Sequence, residues 1–308
     1  MISVGSTIAD RYVVQQRLGA GGFGVVHECW DTKLERSVAI KLGPRPEDDG
    51  SGHRRFLREG RMMAEVSTPG TVLLYDFGVA PESGRPFLTM ERLKGETLGQ
   101  RMRRDPPALG EVMGVMFDLL VTLTAFHGRG IVHRDLKPEN VFLHAPNPGE
   151  RVVKILDFGL ARPTGDRERI TEDDEIVGTP MYMAPEVVLG REVDPRADLF
   201  SVGSLLLELL TGRDPLSGRT KEPVAVQMFR AARLPRPRLR QSRPDLPGHL
   251  EDVIARALAL DPEARFATAR DFLYALMDSA GRLTVETEAS RCPRPVETSD
   301  LTVSSRMS

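Results

Sequence analysis

Short apolar, β-rich runs separated by polar and glycine-rich links occupy the chain up to residue 93 and predict a β-sheet. Five runs rich in β-branched and aromatic residues are bounded by glycine, proline or charged links: residues 11–18, 24–30, 37–42, 71–80 and 86–93. Between the third and fourth runs, residues 53–66 place Phe56, Met63 and Val66 at helical spacing among charges. The first part of the chain is therefore predicted to be mostly sheet with one helix.

Beyond residue 96 the pattern changes to helical periodicity. Four segments predict helices: residues 110–127, 195–212, 248–260 and 268–278. The second of these is apolar nearly all round, which indicates a buried central helix. Two short apolar runs predict strands between the first two helices: residues 140–144 and 152–156. Residues 280–308 are rich in Ser, Thr, Pro and charge with little periodicity, which is typical of a disordered tail.

Composition narrows the class of protein. The chain has 308 residues, is 40% apolar and 28% charged, and carries a formal net charge of −2. That balance is typical of a globular protein and gives no reason to expect binding to nucleic acid or an anionic membrane. The two cysteines, Cys29 and Cys292, favour a reducing compartment over a disulfide framework. The N-terminus lacks a signal-peptide pattern, and no apolar run reaches the roughly 18 residues of a membrane span, so we expect a cytoplasmic protein.

A glycine cluster, Gly19, Gly21 and Gly24, joins the first two predicted strands. Glycine lets the backbone approach a phosphate because no Cβ intervenes. The cluster leads into a strand and not a helix, which disfavours a dinucleotide-binding fold, and a tight hairpin without a ligand is the alternative. Lys41 alternates with apolar neighbours on the third strand, and a buried cation there needs a partner. Glu59 on the following helix is the candidate partner, and an exposed lysine on an edge strand is the alternative.

Two polar motifs follow in the second half of the predicted fold. The segment "HRDLKPEN", residues 133–140, carries more reactive and charged groups than a structural role requires. The segment "DFG", residues 157–159, comes at the end of a predicted strand. Asp157 can bind Mg²⁺, which prefers one or two carboxylates together with phosphate oxygens.

These motifs carry a family resemblance. Together with "VAIK" (38–41), "APE" (184–186), Asp198 and Arg265, they stand in the order and spacing of eukaryotic-type protein kinases, and the chain resembles the serine/threonine kinases of bacteria. The resemblance covers residues 10–279 and misses no required motif. It implies an α+β, bilobal protein-kinase fold with these parts: a β-rich N-lobe with one regulatory helix (10–91), a hinge (91–95) and a mainly helical C-lobe (96–279).

The resemblance also implies a role for each matching residue. ATP and Mg²⁺ are the expected cofactors, with Mn²⁺ as an alternative metal. The expected nucleotide site consists of Leu18, Gly19, Gly21, Gly24, Val26, Ala39, Lys41, Met90, Glu91, Leu93, Phe142 and Asp157. The expected catalytic residues are Lys41, Glu59, Asp135, Lys137 and Asn140, and Asn140 and Asp157 are expected to hold the metal. A buried Glu186–Arg265 ion pair and Asp198, which caps the catalytic loop, are the expected structural residues.

Three functions remain open from the sequence. The first is an active kinase that phosphorylates Ser or Thr in protein substrates, and a homodimer for trans-autophosphorylation is one option. The second is a pseudokinase that binds nucleotide or serves as a scaffold; retention of Lys41, Asp135 and Asp157 argues against it. The third is a small-molecule kinase, and "GTPMYMAPE" argues against it because that loop forms a peptide platform in protein kinases.

The run "RITEDDEIVGTP", residues 169–180, lies in the expected activation segment. Arg134, Arg162 and Arg55 are expected to face one pocket there, and three arginines without an anion would repel one another. Glu175 stands where many relatives have a phosphorylated threonine, so the acids can replace a phosphate in part, because each carries about −1 against −1.5 to −2. Thr171 and Thr164 are the candidate phosphorylation sites, and a solvated acidic loop is the alternative.

Substrate preference is only partly indicated. Thr97 stands where many arginine-selecting kinases have an acid, which counts weakly against selection for arginine. The basic stretch 230–243 is either a solvated surface or a docking site for a substrate or partner. The chain is expected to be a cytoplasmic kinase or one part of a longer protein.

Overall fold

The computed structural model describes residues 3–21, 24–45, 56, 60–157, 162–163, 180–216 and 222–291. The N-terminal part is a six-stranded antiparallel sheet in the order β1-β2-β3-β4-β6-β5. Its strands are β1 (Thr7–Ile8), β2 (Tyr12–Gly21), β3 (Gly24–Asp31), β4 (Arg36–Leu42), β5 (Leu74–Val79) and β6 (Pro86–Glu91). Helix α1, at residues 60–65, precedes β5. The five strands and the helix predicted for this part are present where the chain is described.

Both faces of β4 are buried, and this explains why its sequence is a nearly continuous apolar run. Val38, Ile40 and Leu42 belong to a small core that also includes Tyr12 and Phe87. Ala39 and Lys41 alternate with them, so their side chains leave the opposite face of the strand. This second face of the sheet is directed toward the C-terminal part of the chain, where Lys41 contacts Asp157.

The middle of the chain begins with a short strand and a capped helix. Strand β7 (Gly95–Thr97) runs into α2 (Leu98–Arg104), and a capping box between Thr97 and Gln100 starts the helix. Helix α3 (Leu109–His127) follows, and β9 and β10 form a three-stranded sheet with β7. The remaining strands here are β8 (Ile131–Val132), β9 (Val141–His144), β10 (Val152–Ile155) and β11 (Arg162–Pro163).

The C-terminal part is helical and is organised around α5. Its helices are α4 (Pro185–Val188), α5 (Arg196–Thr211), α6 (Val224–Arg233), α7 (Leu239–Ser242), α8 (Gly248–Ala257) and α9 (Ala269–Arg291). Every residue of α5 is buried except Arg196, Glu208 and Thr211, as its all-round apolar sequence predicts. The helix ends at Gly212, whose φ of 64° is the left-handed conformation typical of a glycine C-cap.

Two helical segments differ from the sequence expectations. Helix α9 continues to Arg291, so residues 280–291 of the predicted disordered tail are helical, and residues 292–308 lie outside the described residues. Buried Ser279 and an i,i+4 ion pair between Asp278 and Arg282 accompany this continuation. Helix α6 includes the first residues of the basic stretch 230–243, because Ala231 and Ala232 give it a buried face.

Helix α3 is long and apolar enough to cross a membrane by length and composition alone, and among the described residues it alone meets that test. No such segment was expected from the sequence. Half of the apolar window is buried, and Leu119, Leu120 and Leu123 belong to the main core. Core helices of globular proteins meet the same test, so the finding is weak support for a membrane span.

Candidate active site

The glycine hairpin between β2 and β3 forms one edge of the site. Gly19 is paired with Val26 and Gly21 with Gly24, while residues 22–23 lie outside the described residues. Gly24 has a φ of 136°, and a Cβ there would lie 2.2 Å from the carbonyl oxygen of Leu42. A side chain at this position is therefore excluded by both the conformation and the contact.

Lys41 and Asp157 contact each other beside this hairpin, where Lys41 is paired with Val26. Lys41 is buried, and its Nζ lies 2.7 Å from Oδ1 of Asp157, the second residue after β10. Burial acts to raise the pKa of Asp157, but the ammonium of Lys41, together with nearby His133 and Lys137, holds the pKa below its ordinary value. The predicted partner Glu59 lies outside the described residues.

Strand pairing makes four of the residues predicted for the nucleotide site neighbours in the N-terminal sheet. On β3, β4 and β6, Val26 is paired with Lys41, and Ala39 is paired with Met90. Phe142 is on β9 and, like Met90, is partly buried against the main core. Leu93 is buried in that core, and Leu18 is partly exposed. Strand pairing thus places Val26, Ala39, Lys41 and Met90, which are distant in sequence, on neighbouring strands.

Glu91 has a role that sequence reasoning missed. Its Oε1 accepts hydrogen bonds from Nζ of Lys154 and from the backbone N–H of Leu73, at 2.5 and 2.8 Å. Lys154 is buried and also donates to the carbonyl oxygen of Thr71 at 2.9 Å. This network fastens the end of β6 to β10 and to the segment before β5. The sequence did contain a sign of this pairing, because Lys154 stands among valines and an isoleucine in β10, and a buried lysine needs an acidic partner.

The catalytic-loop motif holds three side chains together. Oδ2 of Asp135 accepts from Nζ of Lys137 at 2.7 Å and from Nδ2 of Asn140 at 3.0 Å. Asn140 Nδ2 also donates to the carbonyl oxygen of Asp135 at 2.8 Å. Burial raises the pKa of Asp135, and the ammonium of Lys137 opposes part of that rise. The carboxylate is thereby fixed in one orientation with a cation beside it.

Two residues of the site, one in this loop and one after β10, have strained backbone conformations, and Asp198 on α5 holds the loop by hydrogen bonds. Arg134 has a φ of 68°, and Asp157 has a φ of 60°, both unusual for residues with a Cβ. The fully buried carboxylate of Asp198 accepts the backbone N–H groups of His133 and Arg134, each at 2.9 Å. It also lies 2.8 Å from Nε2 of His127.

Burial acts to raise the pKa of Asp198, but these hydrogen bonds outweigh burial and hold the pKa below its ordinary value. The loop is joined to Asp157 as well, because the ring of His133 hydrogen-bonds the carbonyl oxygen of Leu156 at 3.0 Å. Asp198 and His133 therefore keep the two strained residues in place relative to one another.

The predicted pair between Glu186 and Arg265 is present and buried. Nη1 and Nη2 of Arg265 donate to the two carboxylate oxygens of Glu186 at 2.6 and 2.8 Å. The guanidinium also donates to three backbone carbonyl oxygens, of Ala259, Leu260 and Arg196. This bidentate pair anchors α4, and with it the loop 180–184 that precedes α4.

The same loop is held by contacts that the sequence did not indicate. Ser201 on α5 donates to the carbonyl oxygen of Tyr182 at 2.9 Å, and the Tyr182 hydroxyl donates to Glu208 at 2.5 Å. Buried Arg236 donates to the carbonyl oxygen of Met181 at 3.2 Å. These contacts fix the loop against α5 and against the segment that follows α6.

The predicted regulatory residues are mostly outside the described part of the chain. Arg55, Thr164, Thr171 and Glu175 lie in segments that are not described. Of Arg162 the structure describes the backbone, which belongs to β11. Strand β11 pairs with β8 and places Arg162 opposite Val132. Val132 lies two residues before Arg134 in the sequence. The position of the backbone supports the expectation that residues 134 and 162 are neighbours.

The residues present fit a divalent metal and a nucleoside triphosphate. Asn140 uses its Nδ2 toward Asp135, which leaves its amide oxygen for a metal, and Asp157 has a carboxylate oxygen that Lys41 does not contact. Such hard oxygen donors suit Mg²⁺. The hairpin at Gly24 and the ammonium of Lys41 suit phosphate oxygens.

Comparison with known proteins agrees with this geometry. The protein kinase domain family matches residues 12–275. Serine/threonine-protein kinase PknB of Mycobacterium leprae is 35% identical over 268 residues, which are 86% of this chain and 42% of that protein. Serine/threonine-protein kinase pkn3 of Myxococcus xanthus is 34% identical over 306 residues, 95% of this chain and 56% of that protein. The chain thus spans about half or less of the length of these curated relatives.

Solved structures give the same relationship. The crystal structure of the Mycobacterium tuberculosis PknI kinase domain matches with a TM-score of 0.68 and 28% identity, and the match covers 91% of this chain and 100% of that one. The fold expected from the sequence, a β-rich N-terminal part and a helical C-terminal part, is therefore confirmed.

Proposed function

Because the chain belongs to the protein kinase domain family, we propose that it transfers the γ-phosphoryl group of ATP to serine or threonine hydroxyls of proteins. One observation carries the proposal: Asp135, Lys137 and Asn140 form a single hydrogen-bonded group, and the ion pair of Lys41 and Asp157 is joined to the same loop through the hydrogen bond between His133 and Leu156. These are the residues that the reaction needs, and none has been replaced.

Each residue has a task that follows from its charge and surroundings. Asp135 orients the acceptor hydroxyl and accepts its proton, because its carboxylate is buried and held by Lys137 and Asn140. Lys137 steadies the negative charge of the transferred group, and Lys41 holds the α- and β-phosphates. The protein thus contributes positioning and charge neutralisation, which account for most catalysis of phosphoryl transfer.

Asn140 and Asp157 are the residues that would hold Mg²⁺, and the metal supplies further neutralisation of phosphate charge when it is bound. Glu59 is proposed to brace Lys41. Leu18, Gly19, Gly21 and Gly24 are proposed to cover the phosphates. The adenine site is proposed to consist of Val26, Ala39, Met90, Glu91, Leu93 and Phe142.

The experiment that tests the activity compares the wild-type protein with Asp135→Asn. Each is incubated with ATP and Mg²⁺ and a generic protein substrate, and the mass of every intact protein is measured. We expect phosphate additions with the wild type and a loss of at least roughly 100-fold in rate with the variant. Absence of phosphate from both substrate and enzyme, with ATP binding retained, would favour the nucleotide-binding pseudokinase.

Regulation is proposed to act through Arg134. The wild type is expected to autophosphorylate at Thr171 or Thr164, and a phosphate-bearing Thr171 or the carboxylate of Glu175 neutralises Arg134, Arg162 and Arg55. Phosphatase-treated Thr171→Ala and Glu175→Gln separate the two options by their activities. If Thr171→Ala keeps full activity, the acidic residues suffice without a phosphate. If Thr171→Ala loses activity and Glu175→Gln does not, the carboxylate of Glu175 does not replace the phosphate.

A further inference from the structure

One row of paired residues crosses four strands of the N-terminal sheet. It consists of Gln16, Glu28, Ala39 and Met90, on β2, β3, β4 and β6 in that order. Directly paired residues of antiparallel strands have their side chains on the same face of the sheet. Ala39 and Met90 belong to the proposed adenine site. Glu28 is therefore the direct neighbour of an adenine-site residue on that face.

The position of Glu28 along β3 places it on the side of the proposed nucleotide site. Val26 and Glu28 are two residues apart, so their side chains leave the same face of the strand. Val26 is paired with Lys41, and the side chain of Lys41 contacts Asp157. The carboxylate of Glu28 thus lies on the second face of the sheet, which is directed toward the C-terminal part of the chain.

Arg92, in the expected hinge, supplies the opposite charge. Its Nε lies 2.9 Å from Oε2 of Glu28. The two side chains are 28% and 15% exposed, so solvent screens this pair less than a fully exposed one. Gln16 adds a second contact, because its Nε2 donates to Oε2 of Glu28 at 2.7 Å. The carboxylate is thus held by one group from β2 and by one group from the hinge.

These two groups keep Glu28 in its charged form. Burial acts to raise the pKa of Glu28, but the hydrogen bond from Gln16 and the adjacent guanidinium of Arg92 hold the pKa below its ordinary value. Glu28 is therefore ionised at neutral pH, and its attraction for the guanidinium is present there.

Arg92 connects Glu28 to the backbone of the hinge. Its Nη1 donates to the carbonyl oxygen of Leu93, a buried residue of the proposed adenine site. The donors of a guanidinium form a fixed planar fork, so a carboxylate that holds one nitrogen also orients the others. Glu28 therefore acts on the backbone at Leu93 through Arg92, without contacting that backbone itself.

Glu91, the preceding hinge residue, is held by a different part of the molecule. Its carboxylate accepts from Lys154 of β10 and from the backbone N–H of Leu73. Arg92 is held by β3 instead. Contacts at two consecutive residues therefore restrain the backbone of residues 91–93, to which the proposed adenine site belongs.

We propose that Glu28 and Arg92 are positioning residues for the adenine base. The carboxylate fixes the guanidinium, and the guanidinium fixes the hinge backbone where the base binds. The proposal rests on the proposed kinase activity and deepens its nucleotide site. Since the contact acts on the hinge and not on Lys41 or Asp157, it affects binding of the base and leaves the phosphate-binding groups unchanged.

The test measures the affinities of ADP with Mg²⁺ and of adenosine by isothermal titration calorimetry. The proteins are the wild type, Glu28→Leu, Arg92→Met and the control Glu96→Leu. Glu96 also has an arginine partner at 2.9 Å, but that partner, Arg104, is 66% exposed. We expect Glu28→Leu and Arg92→Met to bind each ligand about tenfold more weakly, because both ligands contain the base. The control should bind both ligands like the wild type.

The double variant shows whether the two residues act through one path. Glu28→Leu combined with Arg92→Met should lose no more affinity than Arg92→Met alone, because Glu28 acts only through the guanidinium. Losses that multiply in the double variant would contradict this path. An unchanged binding stoichiometry in the titrations shows that each variant is folded.

Steady-state kinetics gives a readout that a merely structural role would not produce. In both single variants the KM for ATP should rise about tenfold, while kcat and the KM for a peptide substrate stay at the wild-type values. Equal losses in all three constants would point to general destabilisation and would overturn the proposal.

The binding data also separate this proposal from the proposed function. A wild type that binds both ligands, with variants that bind them equally well, contradicts the role of Glu28 and Arg92 and leaves the kinase activity intact. A wild type that binds neither ADP nor adenosine contradicts the proposed function, and this inference with it. Weaker binding in the variants together with no phosphoryl transfer by the wild type supports the positioning role and contradicts the kinase activity.

Discussion

Nζ of Lys41 lies 2.7 Å from Oδ1 of Asp157, so the two charges proposed to meet the phosphates and the metal contact each other directly. The contact gives buried Lys41 an anionic partner, which avoids the cost of an unpaired buried charge at this position.

The first prediction concerns this pair. Lys41→Met and Asp157→Asn should each lower kcat/KM for phosphoryl transfer by at least about 100-fold, since each removes charge neutralisation in the transition state. Steady-state kinetics with a peptide substrate measures the loss. Lys33→Met, an exposed change in the same lobe, is the matched control and should keep the wild-type rate. Comparable losses in the control would point to general destabilisation of the N-lobe.

The second prediction is the pH dependence of transfer. Asp135 must be ionised to accept the proton, and burial raises its pKa, so the acid limb of kcat/KM should lie above the ordinary range of an aspartate. Because the ammonium of Lys137 opposes that rise, Lys137→Ala should move the acid limb to higher pH. Rate profiles from pH 5 to pH 8 on both proteins check the direction. A shift to lower pH in the variant would contradict this assignment.

The third prediction concerns Asp198. Asp198→Ala should destabilise the fold by about 3–5 kcal/mol, because it leaves the buried N–H groups of His133 and Arg134 without an acceptor. Since the folded-state pKa of Asp198 is depressed, its contribution is present above the unfolded-state value near 4 and is lost progressively as pH falls from there through the folded-state pKa. Urea unfolding at pH 7 and at about pH 3 measures both effects. The difference between wild type and variant should be smaller at the lower pH.

The fourth prediction separates charge from geometry at Arg265. Arg265→Lys keeps the charge but cannot make the five hydrogen bonds to Glu186 and three carbonyl oxygens, so we expect a loss of about 3 kcal/mol or more. Arg243→Lys changes a partly exposed arginine that pairs with Asp245 and is the matched control. Its loss should be much smaller than that at Arg265, because solvent screens an exposed pair. Equal losses at the two sites would show that the buried geometry is unimportant.

The fifth prediction is a double-mutant cycle on Lys154 and Glu91. Lys154→Met leaves the carboxylate of Glu91 partly buried without its cation, and Glu91→Gln leaves Lys154 buried without its anion. Each single change should cost about 3 kcal/mol or more, and the double variant should recover a large part of the loss. Chemical unfolding of the four proteins measures the coupling. Additive losses would mean that the contact contributes nothing beyond the two separate side chains.

Much of this protein could be predicted without coordinates because its patterns are local. Runs of β-branched and aromatic residues predict the strands of the N-terminal sheet, and the all-round apolar run predicts α5, because each signal lies within one element. Motif order predicts the group formed by Asp135, Lys137 and Asn140, since these residues lie within a few positions of one another. The left-handed position of Gly24 also follows from residue type in a tight hairpin.

Contacts between distant segments were decided only by the tertiary structure. Nothing in the pattern of β10 identifies Glu91 as the partner of Lys154, and nothing in β3 indicates that Glu28 meets Arg92. The helical residues 280–291 were missed for a related reason, because polar helix ends give a weak periodic signal. The sequence by itself determined the family, the succession of a β-rich and a helical part, and the closeness of Asp135, Lys137 and Asn140. Charge pairing and the contacts of the hinge depend on distances between segments, which one-dimensional spacing does not contain.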